Sequence, residues 1–375
     1  MTTPSLRSRI LLVDLLKAVA AQFIVLHHLA WYGPLSDQAA ALAPWVASTK
    51  DWLAEYGRYA VAVFFATGGF LAAQTLSPRG LGTGNIPGCL IRDRYFRLIL
   101  PFAAAMLLAI CASLLARQWM IHESIGNPPG LLQILAHLTL LHTLLGIESL
   151  SAGVWYVAID FQLYALLVLL LWLGERGWRR TAYREPGAEF SHAIPIFLFA
   201  LASLFYFNHD ARWDATALFF FGAYALGIGA GWAIRSPHRT RILWTMFIVG
   251  GLSLLVHFRP RIALALATAL LLGCTRFHMT RVEMRTVHYL GSISYALFLV
   301  HFPICLVVNA AFQRYAPADP ATAVLGVLLA WLTSNIAADL FHRFIELPLA
   351  RWQKHRLQCR STRKTTLPKS PFRAA

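Results

Sequence analysis

Apolar residues fall in long runs along this chain, and the short segments between the runs collect most of its arginines. A run of about 20 apolar residues is the length a helix needs to cross the hydrocarbon core of a bilayer. Such runs recur from Ile10 to Phe344, beginning near Ile10, Tyr59, Leu98, Val154, Ala193, Asp214, Ile242, Ile262, Tyr289 and Ala321. The pattern predicts an all-α polytopic membrane protein with about ten transmembrane helices. One further stretch, Leu131–Gly146, is interrupted by His137, His142 and two threonines, and hydropathy alone leaves it ambiguous.

Charge placement resolves the ambiguity, because loops rich in Lys and Arg stay in the cytoplasm. With Arg7 and Arg9 inside, a spanning Leu131–Gly146 would push Arg176, Arg179, Arg180 and Arg184 outside. If that stretch does not span, the basic segments Arg79 to Arg97, Arg176 to Arg184, Arg235 to Arg241, Arg276 to Arg285 and the tail from Arg351 all fall inside. The outer loops then hold chiefly Lys50, Arg117, Arg212 and Arg259. The resulting topology has both N- and C-termini cytoplasmic, with Leu131–Gly146 as an outer amphipathic or re-entrant segment. Residues 1–348 form the membrane domain. Residues 349–375 form a basic cytoplasmic tail, expected to be disordered or to lie on anionic headgroups.

Composition agrees with the pattern. Of 375 residues, 58% are hydrophobic and 13% charged, about half the charged share of a soluble domain. A net charge of +16 would suit a nucleic-acid binder, but its placement between apolar runs makes it a topology signal, and no nucleic-acid partner is expected. The first run lacks a small-residue cleavage site and carries Asp14, Lys17 and paired histidines, so it reads as a retained helix, not a removed targeting segment. Five scattered cysteines without a CxxC spacing predict neither a disulfide framework nor a metal site. No internal repeat of the inverted-repeat transporter kind is visible.

Ionisable residues inside apolar runs are costly to bury and are functional-site hypotheses by default. Lys17 and His28 are eleven residues apart, about three helical turns, so they share one face some ~16 Å apart along the axis. Asp14 lies one turn before Lys17. His27 projects about 100° from His28 and reads as a packing or supporting histidine. Arg94 and Arg97 are i, i+3 neighbours whose forks suit either a phosphorylated ligand or lipid phosphates. Asp160 and Tyr164 share a face, as do Ser294 and His301, the latter suited to a hydrogen-bonded structural histidine. The last run ends with Asp339 spaced to meet Arg343 and His342 spaced to meet Glu346. Asn208, His209 and Asp214 fit an NHx4D acyltransferase pattern, which is short enough to recur by chance and here falls in a short outer loop.

Taken in order, these residues resemble acyltransferase family 3, integral membrane proteins that include bacterial polysaccharide O-acetyltransferases. Lys17 and His28 match a first-helix pattern of a basic residue, ten intervening residues and a histidine. Phe64-Phe65-Ala-Thr-Gly68-Gly69-Phe70 is similar to Phe-Phe-x-x-Ser-Gly-Phe. Arg94, Arg97 and Pro101 match Arg-x-x-Arg followed by proline. Trp155, Asp160 and Tyr164 resemble Trp-x-x-x-x-Glu-x-x-x-Tyr. Ser294, Tyr295, Leu299 and His301 match Ser-Tyr-x-x-x-Leu-x-His, and Glu346 with Pro348 matches a closing Glu-x-Pro. The chain departs from these patterns at Lys17 (usually arginine), Asp160 (usually glutamate), Gly68 (usually serine) and Ala62 (often acidic).

The resemblance implies transfer of an acyl group, usually acetyl, from a coenzyme A thioester to a hydroxyl of a cell-surface carbohydrate or lipid-linked glycan, in a bacterial inner membrane. Acetyl-CoA is then a substrate, and no bound cofactor is expected. Lys17, Arg94 and Arg97 would hold the donor. His28 would be the general base, or would carry the acetyl group transiently, and Asp160 would orient an imidazole or the sugar hydroxyls. Asp14, His27, Tyr164, Ser294, Tyr295, His301 and Glu346 would support them. The alternative from another class is a transporter or flippase with a proton relay through Asp14, Lys17, His28 and Asp160. No soluble hydrolase-like domain is expected after Pro348.

Overall fold

A backbone in hydrocarbon has no water to bond, so each apolar run folds as a helix that satisfies its own N–H and C=O groups. The computed structural model describes residues 6–78, 86–180, 193–275 and 281–355, and no strand occurs among them. In chain order the helices are α1 (Leu6–Trp31), α2 (Pro34–Ala40), α3 (Pro44–Tyr56), α4 (Val61–Leu76), α5 (Pro87–Trp119), α6 (Leu131–Leu138), α7 (Trp155–Arg180), α8 (Ile194–Phe205), α9 (Ala217–Ala233), α10 (Arg239–Val256), α11 (Pro260–Cys274), α12 (Arg281–Tyr315) and α13 (Pro320–Phe341). Proline opens α2, α3, α5, α11 and α13, where a missing N–H leaves no hydrogen bond unmade.

Among the described residues, seven helical stretches are long and apolar enough to cross a membrane: Leu11–Trp31, Pro44–Leu76, Pro87–Trp119, Trp155–Gly177, Arg239–Val256, Met284–Tyr315 and Pro320–His355. At the expected fifth, sixth and eighth spans, α8, α9 and α11 are apolar but run for 12, 17 and 15 residues. At a rise of about 1.5 Å per residue all three fall short of a hydrocarbon core roughly 30 Å thick. Seven of the ten expected spans therefore have full length.

Leu131–Gly146 does not span. α6 has eight residues, and the chain then doubles back. Gln133 Nε2 donates to Glu148 O at 2.8 Å, and Leu150 N donates to His137 Nε2 at 3.1 Å, tying the two limbs together. At the tip, the Tyr95 hydroxyl of α5 donates to Leu138 O at 2.7 Å. Irregular backbone at membrane depth is tolerated where protein groups satisfy it in this way.

Helices α1 and α12 run parallel in one register. Asp14 meets His288, Lys17 meets Gly291 and His28 meets His301, at sequence offsets of 274, 274 and 273. Gly291 makes the close approach possible, since a Cβ there would fall 2.5 Å from Asp14 Cβ. The α4–α9 crossing is closer still: a Cβ on Gly69 would lie 2.0 Å from Tyr224 O, and one on Gly227 1.9 Å from Ala66 O. Small residues let helices approach until backbones touch.

The C-terminal end departs from the expected tail. A π turn at His342–Glu346, with Leu347 N donating to His342 O, carries the helix past Pro348 to His355. Gln353 Nε2 donates to Phe96 O and fastens this end to α5, so Arg351–His355 are helical. Residues 356–375 lie outside the described residues, as do Arg79, Arg184, Arg276 and Cys359.

Candidate active site

Helices α1, α4, α5, α7 and α12 surround two cavities that abut at one aromatic ring. The first, about 270 Å³, lies at the Lys17 end of α1 and is lined by Lys17, Arg94, Arg97, Asp160, Tyr295 and Glu346. The second, about 500 Å³, lies at the His28 end, with His27, His28, Tyr32, Arg58, Trp155 and Arg261 among its walls.

In the arginine cavity a buried carboxylate requires a cation, and Arg94 reaches Asp160 across the α5–α7 contact, Nη2 to Oδ2 at 2.6 Å. The same guanidinium sits 5.2 Å over the Tyr164 ring. Its Nε is buried with no acceptor, and the buried Tyr295 hydroxyl also has no partner. Two unsatisfied donors in one cavity are what a ligand with acceptor oxygens would complete. Arg97 lines the same wall. Lys17 Nζ donates to Gly291 O at 3.3 Å, and Ser294 Oγ donates to that carbonyl at 2.7 Å. Glu346 is held by His342 Nδ1 at 2.8 Å, and Arg343 Nε donates to Asp339 Oδ1 at 2.8 Å.

Asp160 was expected to orient an imidazole or a sugar hydroxyl. It binds Arg94 instead and lines the other cavity from His28, because the cation supplied by α5 is its nearest complement. Gly68, at the serine position of the family pattern, faces this pair. A Cβ there would lie 3.4 Å from Asp160 Oδ1 and 3.3 Å from the Tyr224 ring.

The histidine cavity contains a fixed hydrogen-bond chain. His301 Nδ1 lies 2.9 Å from Leu297 O, a group that can only accept, so Nδ1 carries the proton. Nε2 of a neutral His301 is then an acceptor, and it faces His28 Nδ1 at 2.6 Å. His28 must donate from Nδ1, which leaves the lone pair on its Nε2. These tautomers are assigned from the network, as ring protons always are. The two rings are nearly parallel, 4° apart. Among the described residues His28 Nε2 has no protein partner, and the imidazole lines the cavity.

His27, also in the wall of this cavity, bonds Leu53 O through Nδ1 at 3.1 Å and makes no hydrogen bond to His28. Asp14 Oδ2 accepts from His288 Nδ1 at 2.8 Å. Asp14, Lys17, His28 and Asp160 thus have four different partners, and among the described residues no hydrogen bond joins any two of them. In the NHx4D segment, Asn208 Nδ2 donates to Phe219 O at 3.1 Å, and the His209 ring lies against His257 with centroids 5.1 Å apart.

Sequence reasoning missed Phe298, Gly153 and His288. Phe298 is one more apolar residue in an apolar run. Its spacing nevertheless marks it, four residues after Ser294 and three before His301 on one helix face. Gly153 has φ +84°, and a Cβ there would meet Phe298 Cζ at 3.2 Å and His28 Cε1 at 3.4 Å.

A family model described as an acyltransferase domain, Acyl_transf_3, matches residues 10–335. No curated protein and no solved structure matches the chain.

Proposed function

The chain belongs to acyltransferase family 3, and from that premise we propose that it moves an acetyl group from a coenzyme A thioester to a hydroxyl of a cell-surface carbohydrate or lipid-linked glycan. The observation that carries this reading is the His301–His28 pair, which leaves an imidazole lone pair directed at a cavity beside a second, cationic one.

Arg94, Arg97 and Lys17 hold the donor's phosphates and pantetheine arm in the arginine cavity. The thioester carbon is presented towards His28. The acceptor hydroxyl attacks that carbon and gives its proton to His28 Nε2. The C–S bond breaks, the departing thiolate takes the proton back from His28, and the products are an ester and coenzyme A thiol. Direct transfer needs one base and no covalent enzyme intermediate.

The arginine cavity faces the cytoplasm in this reading, and the chain crosses a bacterial inner membrane ten times with both termini cytoplasmic. Parity supports the count. α1 and α12 run parallel, as the first and ninth of ten alternating spans must. Seven spans alone, or an additional crossing at Leu131–Gly146, would set them antiparallel. The start of α5, with Arg92, Arg94 and Arg97, and the helical continuation of α13 to His355, with Arg343, Arg351 and Lys354, meet at the Lys17 end.

The test compares glycan mass spectra from a deletion strain and its complement, alongside coenzyme A release by the purified protein. A gain of one acetyl mass that disappears in His28→Ala is expected. Full acetylation by a folded His28→Ala protein would refute the assignment.

A further inference from the structure

The two cavities share a single wall. Among the described residues, Phe298 alone lines both. Below it on α12, Ser294 and Tyr295 line the arginine cavity, and above it Phe302 lines the histidine cavity beside the His301–His28 pair. The helix therefore presents donor-side wall, partition and imidazole support in consecutive turns of one face.

The ring is held in place. It packs edge-on against Tyr156, with centroids 5.0 Å apart, and Phe64, with centroids 5.9 Å apart. It is itself 3% exposed, and its tip points at the position next to Gly153 that His28 Cε1 also borders. An aromatic ring clamped by two others does not move aside at low cost in a close-packed interior. Anything passed from the Lys17 end to His28 must fit beside it.

We propose that Phe298 is the specificity-determining residue of this site, gauging the length of the acyl group that reaches His28 from the donor cavity. The proposal rests on the acyl-transfer reading above and adds to it the residue that selects a short acyl chain. A carbonyl with one methyl group needs little room beyond the thioester itself, whereas each further methylene must enter the volume filled by this ring. Pockets that discriminate by a single methylene do so by roughly 10- to 200-fold.

The experiment offers acetyl-CoA and butyryl-CoA together to wild type, Phe298→Leu and Phe298→Ala protein and takes the ratio of the two kcat/KM values. Because the ratio is measured within one preparation, partial unfolding scales both terms and cancels. Relative to wild type, the butyryl-to-acetyl ratio is expected to rise at least about tenfold in Phe298→Ala and by a smaller factor in Phe298→Leu. A ratio within about twofold of wild type in both variants overturns the proposal. So does loss of all transfer in folded Phe298→Leu, since a gauge is not needed for acetyl. A wild-type protein without acyl transfer is a different result, and it refutes the function and not the gauge.

Discussion

Replacing His301 with phenylalanine keeps a ring of similar size but removes the acceptor that faces His28 Nδ1 at 2.6 Å. In a buried pocket the stranded N–H then costs about 1–3 kcal/mol. His28 can escape that cost by moving its proton to Nε2, and that tautomer cannot accept a proton from the acceptor hydroxyl. At about 1.36 kcal/mol per factor of ten, the productive tautomer loses roughly 5- to 150-fold in population, and kcat falls with it. The donor's KM should stay unchanged, because the arginine cavity lies beyond Phe298. Steady-state release of coenzyme A thiol from protein in lipid nanodiscs measures both constants, and ¹⁵N shifts of the His28 ring report the tautomer. Glutamine at 301 supplies a carbonyl acceptor and should recover most of the lost rate. If His301→Phe keeps kcat within about twofold while His28→Ala is inactive, the tautomer argument is wrong.

Further substitutions probe the other walls. Arg94→Ala should raise the donor's KM and also destabilise the fold by about 3–5 kcal/mol, because it strands a buried carboxylate. Arg94→Ala combined with Asp160→Asn should regain most of the stability but not the KM, and denaturation midpoints with donor titrations separate the two effects. Adjacent glycines on α4 should behave oppositely. Gly68→Ser is tolerated with a small shift of Tyr224 and brings a hydroxyl near Asp160, whereas Gly69→Ser drives a Cβ to 2.0 Å from Tyr224 O and unfolds the α4–α9 crossing; equal thermal stability of the two would refute this. Gly153→Ala should destabilise by more than about 1 kcal/mol, since its φ is +84°. It should also slow transfer by pressing on Phe298 and His28, visible as a lower kcat at unchanged donor KM.

Much of the fold is legible in the sequence, because hydrocarbon permits little else to a long apolar run. The arginine distribution alone identified Leu131–Gly146 as non-spanning, and the doubled-back limbs around His137 agree. Spacing also separates His28 from His27: both line the histidine cavity, but His28 faces His301 and His27 bonds Leu53 O. Helical periodicity says which face a residue occupies but not which helix lies opposite. That is why Asp160 was assigned to an imidazole or a sugar when its partner is Arg94, 66 residues away in sequence. His288, the partner of Asp14, was invisible for the same reason. Phe298 was hidden differently: an aromatic residue among Leu and Val has no contrast until the cavities on either side of it are seen.

The constant offset between α1 and α12 turns the site's dimensions into a matter of counting. Lys17 and His28 are paired across the helices with Gly291 and His301, so the distance from ammonium to imidazole is written twice, once in each helix. One residue inserted between Lys17 and His28 would turn the imidazole by about 100° and lift it about 1.5 Å, away from His301. A second insertion between Gly291 and His301 would bring the partner round by the same amount. Single insertions in either helix should therefore abolish activity and the matched pair restore part of it, so the two segments can change length only together.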